Sequence, residues 1–209
     1  MATDSAPAEP VQSKAGYHHG DLREALISAA QQLVEEGGAD KFSLADACRL
    51  AGVSTAAPYR HFRNREEILA EVAARGFDAL HEKSAAAVEA EGVGTTEAIV
   101  AMGKAYVAFA VEQQRLFRLM FGQNPAVKEA EQVLGTGRCC FQWVIEQVAL
   151  YCGKNNVEGD ATEIAVRLWT FVHGAASLLI DDDYATVVPD LDVDAMIARA
   201  TPGLLAPVR

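Results

Sequence analysis

Apolar residues recur at intervals of three and four along most of the chain, which is the spacing that places them on one face of an α-helix. The runs Leu22–Leu33 and Ile99–Phe109 show this period clearly. No stretch alternates apolar and polar residues as a half-buried strand does. The pattern predicts an all-α protein of about nine helices.

Capping residues and glycines divide the first 90 residues into four predicted helices. Asp21 begins the first helix, and Ser43 and Ser54 begin the next two, because short oxygen-bearing side chains accept the free N–H groups of a first turn. Gly52 separates the second and third helices and supplies the backbone freedom for a sharp turn. Asn64 begins a long fourth helix.

This pattern divides the chain into three predicted segments. Residues 1–16 are rich in Ala, Pro, Ser and charged side chains, and they are predicted to be a disordered tail because they cannot bury apolar area. Residues 17–64 hold the first three helices and are predicted to form one domain. Residues 65–209 hold the longer helices of a second domain.

The amino-acid composition excludes several classes of protein. Of the 209 residues, 50% are hydrophobic and 22% are charged, which excludes fibrous and wholly disordered classes of protein. No apolar run approaches the roughly 18 residues of a spanning helix, and no signal-peptide pattern opens the chain, so we expect a cytoplasmic location and no membrane.

The four cysteines form no CxxC pair and are expected to be reduced. Cys139 and Cys140 are either a redox-sensitive pair or, the favoured interpretation, two small buried apolar residues.

Charge is distributed unevenly along the chain. The net charge is −11, yet residues 41–65 carry a net +4 and residues 66–209 carry a net −10. A basic segment on an acidic protein favours one surface that binds a polyanion.

The same basic segment, residues 43–65 (SLADACRLAGVSTAAPYRHFRNR), has the pattern of two short helices around a glycine turn. This pattern is typical of a helix-turn-helix, whose second helix presents its N-terminal residues to the major groove of DNA. Small residues allow the two helices to cross closely. The residues expected to be exposed on the second helix are Thr55, Ala56, Tyr59 and Arg60, with His61 at its end.

The first 70 residues resemble the DNA-binding domain of the TetR family of one-component transcriptional regulators. The resemblance rests on the segments Gly52-Val53-Ser54, Tyr59-Arg60-His61-Phe62 and Arg65-Glu66-Glu67-Ile68-Leu69. The start of the first helix, with Trp169 and His173-Gly174, resembles a subgroup named for its Trp-His-Gly ligand domain. The resemblance implies an N-terminal three-helix DNA-binding domain and a C-terminal helical domain for ligand binding and dimerisation.

The resemblance also implies roles for individual residues in DNA binding. Tyr59 matches a tyrosine that packs on the sugar–phosphate backbone, whereas Thr55 and Ala57 match positions that reach base edges. His61 and Arg65 match phosphate-contacting positions. The complete predicted set is Ser43, Ser54, Thr55, Ala57, Tyr59, Arg60, His61 and Arg65. Pro58 departs from the family pattern, and we expect it to tighten or tilt the first turn of the reading helix because it lacks an N–H.

The second domain contains aromatic residues in three separated helical segments, and these are candidates for a ligand cavity. Their alternative role is simply to fill the core. The predicted ligand-binding residues are Tyr106, Phe109, Phe117, Arg118, Met120, Phe121, Trp169 and His173. Arg118 and His173 would be the polar groups that orient a ligand, and the acidic composition favours a largely apolar, neutral or cationic effector.

Dimerisation is expected because two reading helices at the spacing of one helical turn recognise a palindrome. The family pairs its last two helices, which here are residues 160–180 and 192–201. We therefore predict a dimeric repressor that a small molecule releases from a palindromic operator. The alternatives are an activator or co-repressor-dependent regulator of the same fold, and an all-α small-molecule-binding protein or enzyme. We expect no cofactor and no metal site, because no catalytic or metal-ligand motif is present.

Overall fold

The structure, a computed structural model, describes residues 19–207, with side chains from Leu22 onwards. The predicted disordered tail, residues 1–16, lies outside the described residues. Within them, two short 3₁₀ helices occur at Ala39–Lys41 and Pro58–Arg60. The α-helices are α1 (His19–Gly37), α2 (Leu44–Leu50), α3 (Arg65–Glu91), α4 (Thr96–Glu112), α5 (Gln114–Phe121), α6 (Pro125–Lys128), α7 (Glu131–Asn155), α8 (Ala161–Ile180), α9 (Asp183–Val187) and α10 (Val193–Leu205).

The all-α prediction is confirmed across the described residues, which contain no strand and ten α-helices rather than about nine. Two of the predicted caps are also confirmed. The Ser43 hydroxyl accepts the Asp46 N–H at 3.1 Å, and the Asn64 side chain accepts the Glu67 N–H at 2.9 Å. Each bond satisfies a donor that the first turn of a helix leaves free. The first helix begins at His19, two residues before its predicted start.

The third predicted helix, capped by Ser54, is wrong. Residues 54–61 form consecutive turns and the 3₁₀ helix Pro58–Arg60 instead of an α-helix. The helix predicted as the fourth is therefore α3, and it begins at Arg65 as expected from the Asn64 cap.

The 27-residue helix α3 is the central element of the fold. It packs against α1, α4, α5, α6 and α7. One apolar core extends from Leu26 in α1, through Leu69 in α3, to Ile197 in α10. A second core surrounds Val148 and Leu168, between the C-terminal half of α7 and the N-terminal half of α8. The first core contains residues from both sides of the predicted domain boundary at residue 64. The two predicted domains therefore share packed side chains.

Helix α8 is the one described helix that is long and apolar enough to cross a bilayer, judged by length and composition. The expectation that no apolar run reaches the length of a spanning helix is therefore wrong for α8. In the fold, α8 packs one face against α4, α7 and α10, and 39% of its apolar window is buried. Val166, Trp169 and Leu178 remain partly exposed on the other side of the helix.

The cysteines only partly follow the sequence prediction. All four are free thiols, with Cys48 and Cys152 buried. Cys139 is exposed and Cys140 is half-buried, so the interpretation of these two as a buried apolar pair is wrong for Cys139. They are consecutive residues of α7, and successive residues of a helix point in different directions.

Candidate functional site

The turn after α2 begins the first part of the candidate site. Gly52 has φ +68°, a left-handed conformation that glycine adopts without steric cost. The Val53 N–H returns to the Cys48 carbonyl at 2.9 Å, which closes the turn. The chain thereby leaves α2 sharply and enters the segment 54–61, which we call the recognition segment.

Pro58 explains why the recognition segment is not an α-helix. It has no N–H, so the helical bond to the Ser54 carbonyl cannot form, and that carbonyl accepts the Ala57 N–H at 3.0 Å instead. The next turn is also tight, because the Arg60 N–H donates to the Ala57 carbonyl at 3.3 Å. The proline thus converts the predicted reading helix into a shorter, more tightly wound one.

The recognition segment is anchored by the buried Pro58 and by Phe62, which follows it, and it exposes most of its other residues. Pro58 and Phe62 are buried. Tyr59 is 65% exposed, and Thr55 and Arg60 are also exposed. Ser54 is exposed, whereas Ala57 and His61 are half-buried. The segment therefore presents a hydroxyl, a phenol and a guanidinium on one short surface.

Three cations of the basic segment 41–65 have no ion-pair partner within residues 22–207. They are Lys41, Arg60 and Arg63, and all three are exposed. Arg49, in contrast, pairs with Asp46, which lies three residues earlier in the same helix. Cations that lack an internal partner are available to phosphate groups.

The Arg65 side chain makes several contacts within the protein. Its Nε donates to the Phe42 carbonyl at 2.9 Å, Nη2 donates to the Ala39 carbonyl, and Nη1 lies 3.3 Å from Glu66. The guanidinium also stacks over the Phe42 ring, 5.7 Å from its centre. These internal contacts join the first turn of α3 to the loop before α2 and position the arginine there, and its predicted phosphate contact stays a prediction.

The second part of the candidate site is a cavity of about 1450 Å³ inside the helical body. Helices α3, α4, α5, α7 and α8 form most of its wall, which is predominantly apolar. The charged residues on its border are Lys128, Arg138 and Glu146, and all three are exposed at the rim. A wall of this kind is typical of a small-molecule site.

Five of the eight predicted ligand-binding residues line the cavity: Tyr106, Met120, Phe121, Trp169 and His173. The other three do not. Phe109 and Phe117 are buried in the core behind it, because their positions on α4 and α5 face neighbouring helices. Arg118 projects to the surface, where it pairs with Asp181 at 2.6 Å and donates to the Ile180 carbonyl at 3.2 Å.

Sequence reasoning missed the contribution of α3 and α7 to the cavity. The main residues missed are Phe77, Leu80, Ser84, Cys140, Phe141 and Trp143. Aromatic residues in the middle of a long amphipathic helix were a signal for Phe141 and Trp143. For α3 no comparable signal existed, since Phe77 and Leu80 are typical core residues in sequence.

A polar cluster lies at the centre of this apolar wall. The Tyr106 hydroxyl is 2.8 Å from His173 Nδ1, and the Trp169 indole N–H donates to the same hydroxyl at 3.3 Å. Burial raises the pKa of the Tyr106 phenol and lowers the pKa of the His173 imidazole. Both groups are therefore uncharged near neutral pH, because burial disfavours the charged form of each.

Helix α3 connects the two parts of the site. Its first turn follows the recognition segment, and its middle supplies Phe77, Leu80 and Ser84 to the cavity wall. Helix α5 lies close to it at Gly76, where a Cβ atom would be 2.6 Å from Met120 Sδ. Helix α5 also contacts the C-terminal end of α1 directly, because Arg115 donates to the carbonyls of Glu35 and Glu36 at 2.8 and 2.7 Å.

These features define a helix-turn-helix protein with a helical body that contains a ligand-sized cavity. Residues 26–72 match the family described as bacterial regulatory proteins, tetR family, and residues 99–203 match a tetracyclin repressor-like C-terminal domain. The chain belongs to the TetR family of DNA-binding transcriptional regulators. The Trp-His-Gly subgroup stays a prediction.

Solved structures with the same fold cover most of the chain. A protein of unknown function from Rhodococcus sp. RHA1 is 32% identical, with a TM-score of 0.77 over 92% of this chain and 97% of the other. FadR from Bacillus subtilis, solved in complex with stearoyl-CoA, is 12% identical, with a TM-score of 0.66 over 89% and 99%. The TetR-family regulator PfmR from Thermus thermophilus is 17% identical, with a TM-score of 0.58 over 88% and 98%. No curated protein matches the chain.

Proposed function

We propose that this protein is a dimeric repressor that binds a palindromic operator and releases it when a largely apolar small molecule occupies the body cavity. The observation that carries this proposal is the continuity of α3. One helix begins beside the exposed recognition segment and also forms part of the cavity wall. A ligand that displaces this wall changes the position of the recognition segment in the same step.

In this proposal the recognition segment enters the major groove. Thr55 and Ala57 face base edges, Tyr59 packs on the backbone, and the exposed cations contact phosphates. Ser43, Ser54 and His61 complete the surface. Arg65 holds the segment in place through the Phe42 and Ala39 carbonyls.

Release is a shift between two conformations of the dimer. The ligand-free form holds the two recognition segments at operator spacing, and the ligand favours a form in which α3 is tilted. A ligand shifts this balance only through its different affinity for the two forms. A coupling free energy of about 1–3 kcal/mol weakens operator binding about 5- to 150-fold.

The outer face of α8 supports a dimer. Val166, Thr170, Gly174 and Leu178 follow one another at four-residue spacing, and all are exposed, although Thr170 and Gly174 also border the cavity. A Cβ atom at Gly174 would have no neighbour within 4 Å. A second copy of α8 can therefore approach closely along this row, with α10 beside it.

We expect Val166→Arg to convert the dimer into a monomer, because an unpaired guanidinium would be buried in the proposed interface. Val111→Arg is the matched control, since Val111 in α4 is 40% exposed and Val166 is 42% exposed. Light scattering after gel filtration should give the mass of two 22.3 kDa chains for the parent and the control, and of one for Val166→Arg. A dimeric Val166→Arg protein would place the interface elsewhere.

The regulatory function is tested with duplex DNA from upstream of the protein's own gene. We expect a mobility shift that weakens steeply as salt rises, because phosphate contacts release counterions. A promoter fusion measured with and without the protein gives the sign of regulation. Higher expression without the protein supports repression, lower expression indicates an activator, and no retention of any upstream duplex contradicts the proposal.

A long-chain acyl-CoA is a second candidate effector. FadR was solved with stearoyl-CoA, and the cavity of about 1450 Å³ exceeds the roughly 300–1,000 Å³ of a drug-sized site. Lys128 and Arg138 at its rim have no ion pair within the described chain, so both can bind an anionic group. Release of the upstream duplex by stearoyl-CoA, with loss of release in Lys128→Glu/Arg138→Glu, would favour this effector over a neutral one.

A further inference from the structure

The polar cluster in the cavity fixes the direction of its hydrogen bonds. The Trp169 indole N–H can only donate, so the Tyr106 oxygen accepts at 3.3 Å. The Tyr106 hydroxyl has one proton, and its other neighbour at hydrogen-bond distance is His173 Nδ1 at 2.8 Å. If Nδ1 also donated to Tyr106, the phenolic proton would have no acceptor in an apolar wall, which is costly. The Tyr106 proton therefore points to Nδ1.

This direction determines the tautomer of His173. A neutral imidazole carries one proton, and a ring whose Nδ1 accepts a hydrogen bond carries that proton on Nε2. Burial lowers the pKa of His173, which keeps the ring neutral. Nε2 has no hydrogen-bond partner within residues 22–207, and it is not sealed from solvent. His173 thus offers one fixed N–H donor at the cavity that it lines.

A second polar group in the wall also lacks a partner. Ser84 is only 5% exposed, lines the cavity, and makes no hydrogen bond to the described part of the chain. The Ser84 hydroxyl keeps some accessible surface at the cavity, so it can donate a hydrogen bond to a ligand there. Ser84 and His173 lie on α3 and α8 respectively, so a ligand that binds both spans the cavity.

We infer that the effector is an apolar molecule with a carbonyl-type oxygen, and that this oxygen accepts a hydrogen bond from Nε2–H of His173. This inference rests on the ligand-responsive function proposed above and specifies the chemistry of its effector. A donor group at the same place would face the Nε2 proton and be rejected. Trp169 and Tyr106 act as positioning residues, because they hold the tautomer without being the donor.

The chain provides its own reporter for this site. It has two tryptophans, Trp143 and Trp169, and both line the cavity, so intrinsic tryptophan fluorescence reports binding there. The probes are 9-fluorenone and fluorene, which share a ring frame and differ by one carbonyl oxygen. We expect the full chain to bind fluorenone about 5- to 10-fold more tightly than fluorene, as one made hydrogen bond allows.

The variants separate the hydrogen bond from packing. His173→Phe should abolish the preference for the ketone while retaining affinity for fluorene. His81→Phe is the matched control: His81 packs against Trp143 at 4.9 Å but does not line the cavity, so the preference should remain. Tyr106→Phe removes the hydroxyl that fixes the His173 tautomer, and it should reduce the preference for fluorenone over fluorene about threefold or more. An unchanged ratio in His173→Phe overturns the inference.

A measurement without ligand keeps the inference testable if a variant fails to fold. Nitrogen-15 NMR of the parent protein should show a pyridine-like Nδ1 and a pyrrole-like Nε2 for His173. The opposite tautomer would contradict the assigned direction. Neither result depends on DNA, so failure of this inference is distinguishable from failure of regulation, which the upstream duplex tests separately.

Discussion

The double variant Arg60→Glu/Arg63→Glu reverses two positive charges and should weaken binding to duplex DNA by at least about 100-fold. Both side chains are exposed beside the recognition segment, and neither has an ion pair within the described residues. A dimer presents four such cations, and each replacement puts a carboxylate where a phosphate must approach. The slope of log affinity against log salt should fall by about 3 to 4, since each lost phosphate contact removes about 0.9. Fluorescence anisotropy with the upstream duplex measures both quantities.

The matched control changes the net charge equally but elsewhere. Lys83 and Lys154 lie in α3 and α7 of the body, away from the recognition segment. Lys83→Glu/Lys154→Glu should alter affinity by no more than about threefold and leave the salt slope nearly unchanged. Equal losses in the two double variants would show that total charge, rather than a local surface, determines DNA binding.

Local chemistry explains the features that sequence analysis predicted correctly. The caps at Ser43 and Asn64 need only a side-chain oxygen and an N–H three residues away. The turn at Gly52 needs one residue with φ above zero. These interactions involve neighbours in sequence, so their spacing is visible in the sequence, and with them the position of the helix-turn-helix.

Pro58 is a local signal against the predicted α-helical form of the reading helix. Ser54 is a good cap, but a cap stabilises only a helix whose following N–H groups exist. Pro58 removes the donor that would complete the first α-helical bond, and Ala57 still keeps helical angles (φ −63°, ψ −42°). The proline therefore changes the type of helix while the chain continues in the same direction.

The cavity could be predicted only in part because its wall is built from contacts between distant segments. Tyr106 and His173 are 67 residues apart, and no spacing rule joins them. Phe109 and Phe117 have the same apolar character as Tyr106 and Phe121, yet they face the core. Which face of α4 and α5 meets the cavity is decided by the position of α3 and α8, and that is a property of the packed structure.

The contacts of Arg65 also join segments that are distant in sequence, so they could not be predicted from residue spacing. Replacement of Arg65 is the second large effect that we expect. Arg65→Ala should lower the free energy of unfolding by about 2 kcal/mol, because two charge-assisted hydrogen bonds to backbone carbonyls are lost from a partly exposed site. Arg65→Lys should recover less than half of this loss, since an ammonium cannot replace a planar fork that reaches both carbonyls. Urea unfolding followed by far-ultraviolet circular dichroism measures the change.

Arg63→Ala is the comparison that separates the two roles of these neighbouring arginines. The Arg63 side chain is exposed and makes no hydrogen bond or ion pair within the described chain, so its loss should change stability by less than about 0.5 kcal/mol. The same variant should weaken DNA binding and reduce the salt slope by about 2 for a dimer. Arg65→Ala should show the reverse: lower stability, with a salt slope close to that of the parent in the folded fraction. If Arg65→Ala is as stable as the parent and loses the same slope as Arg63→Ala, then Arg65 contacts a phosphate and its bonds to the Ala39 and Phe42 carbonyls contribute little.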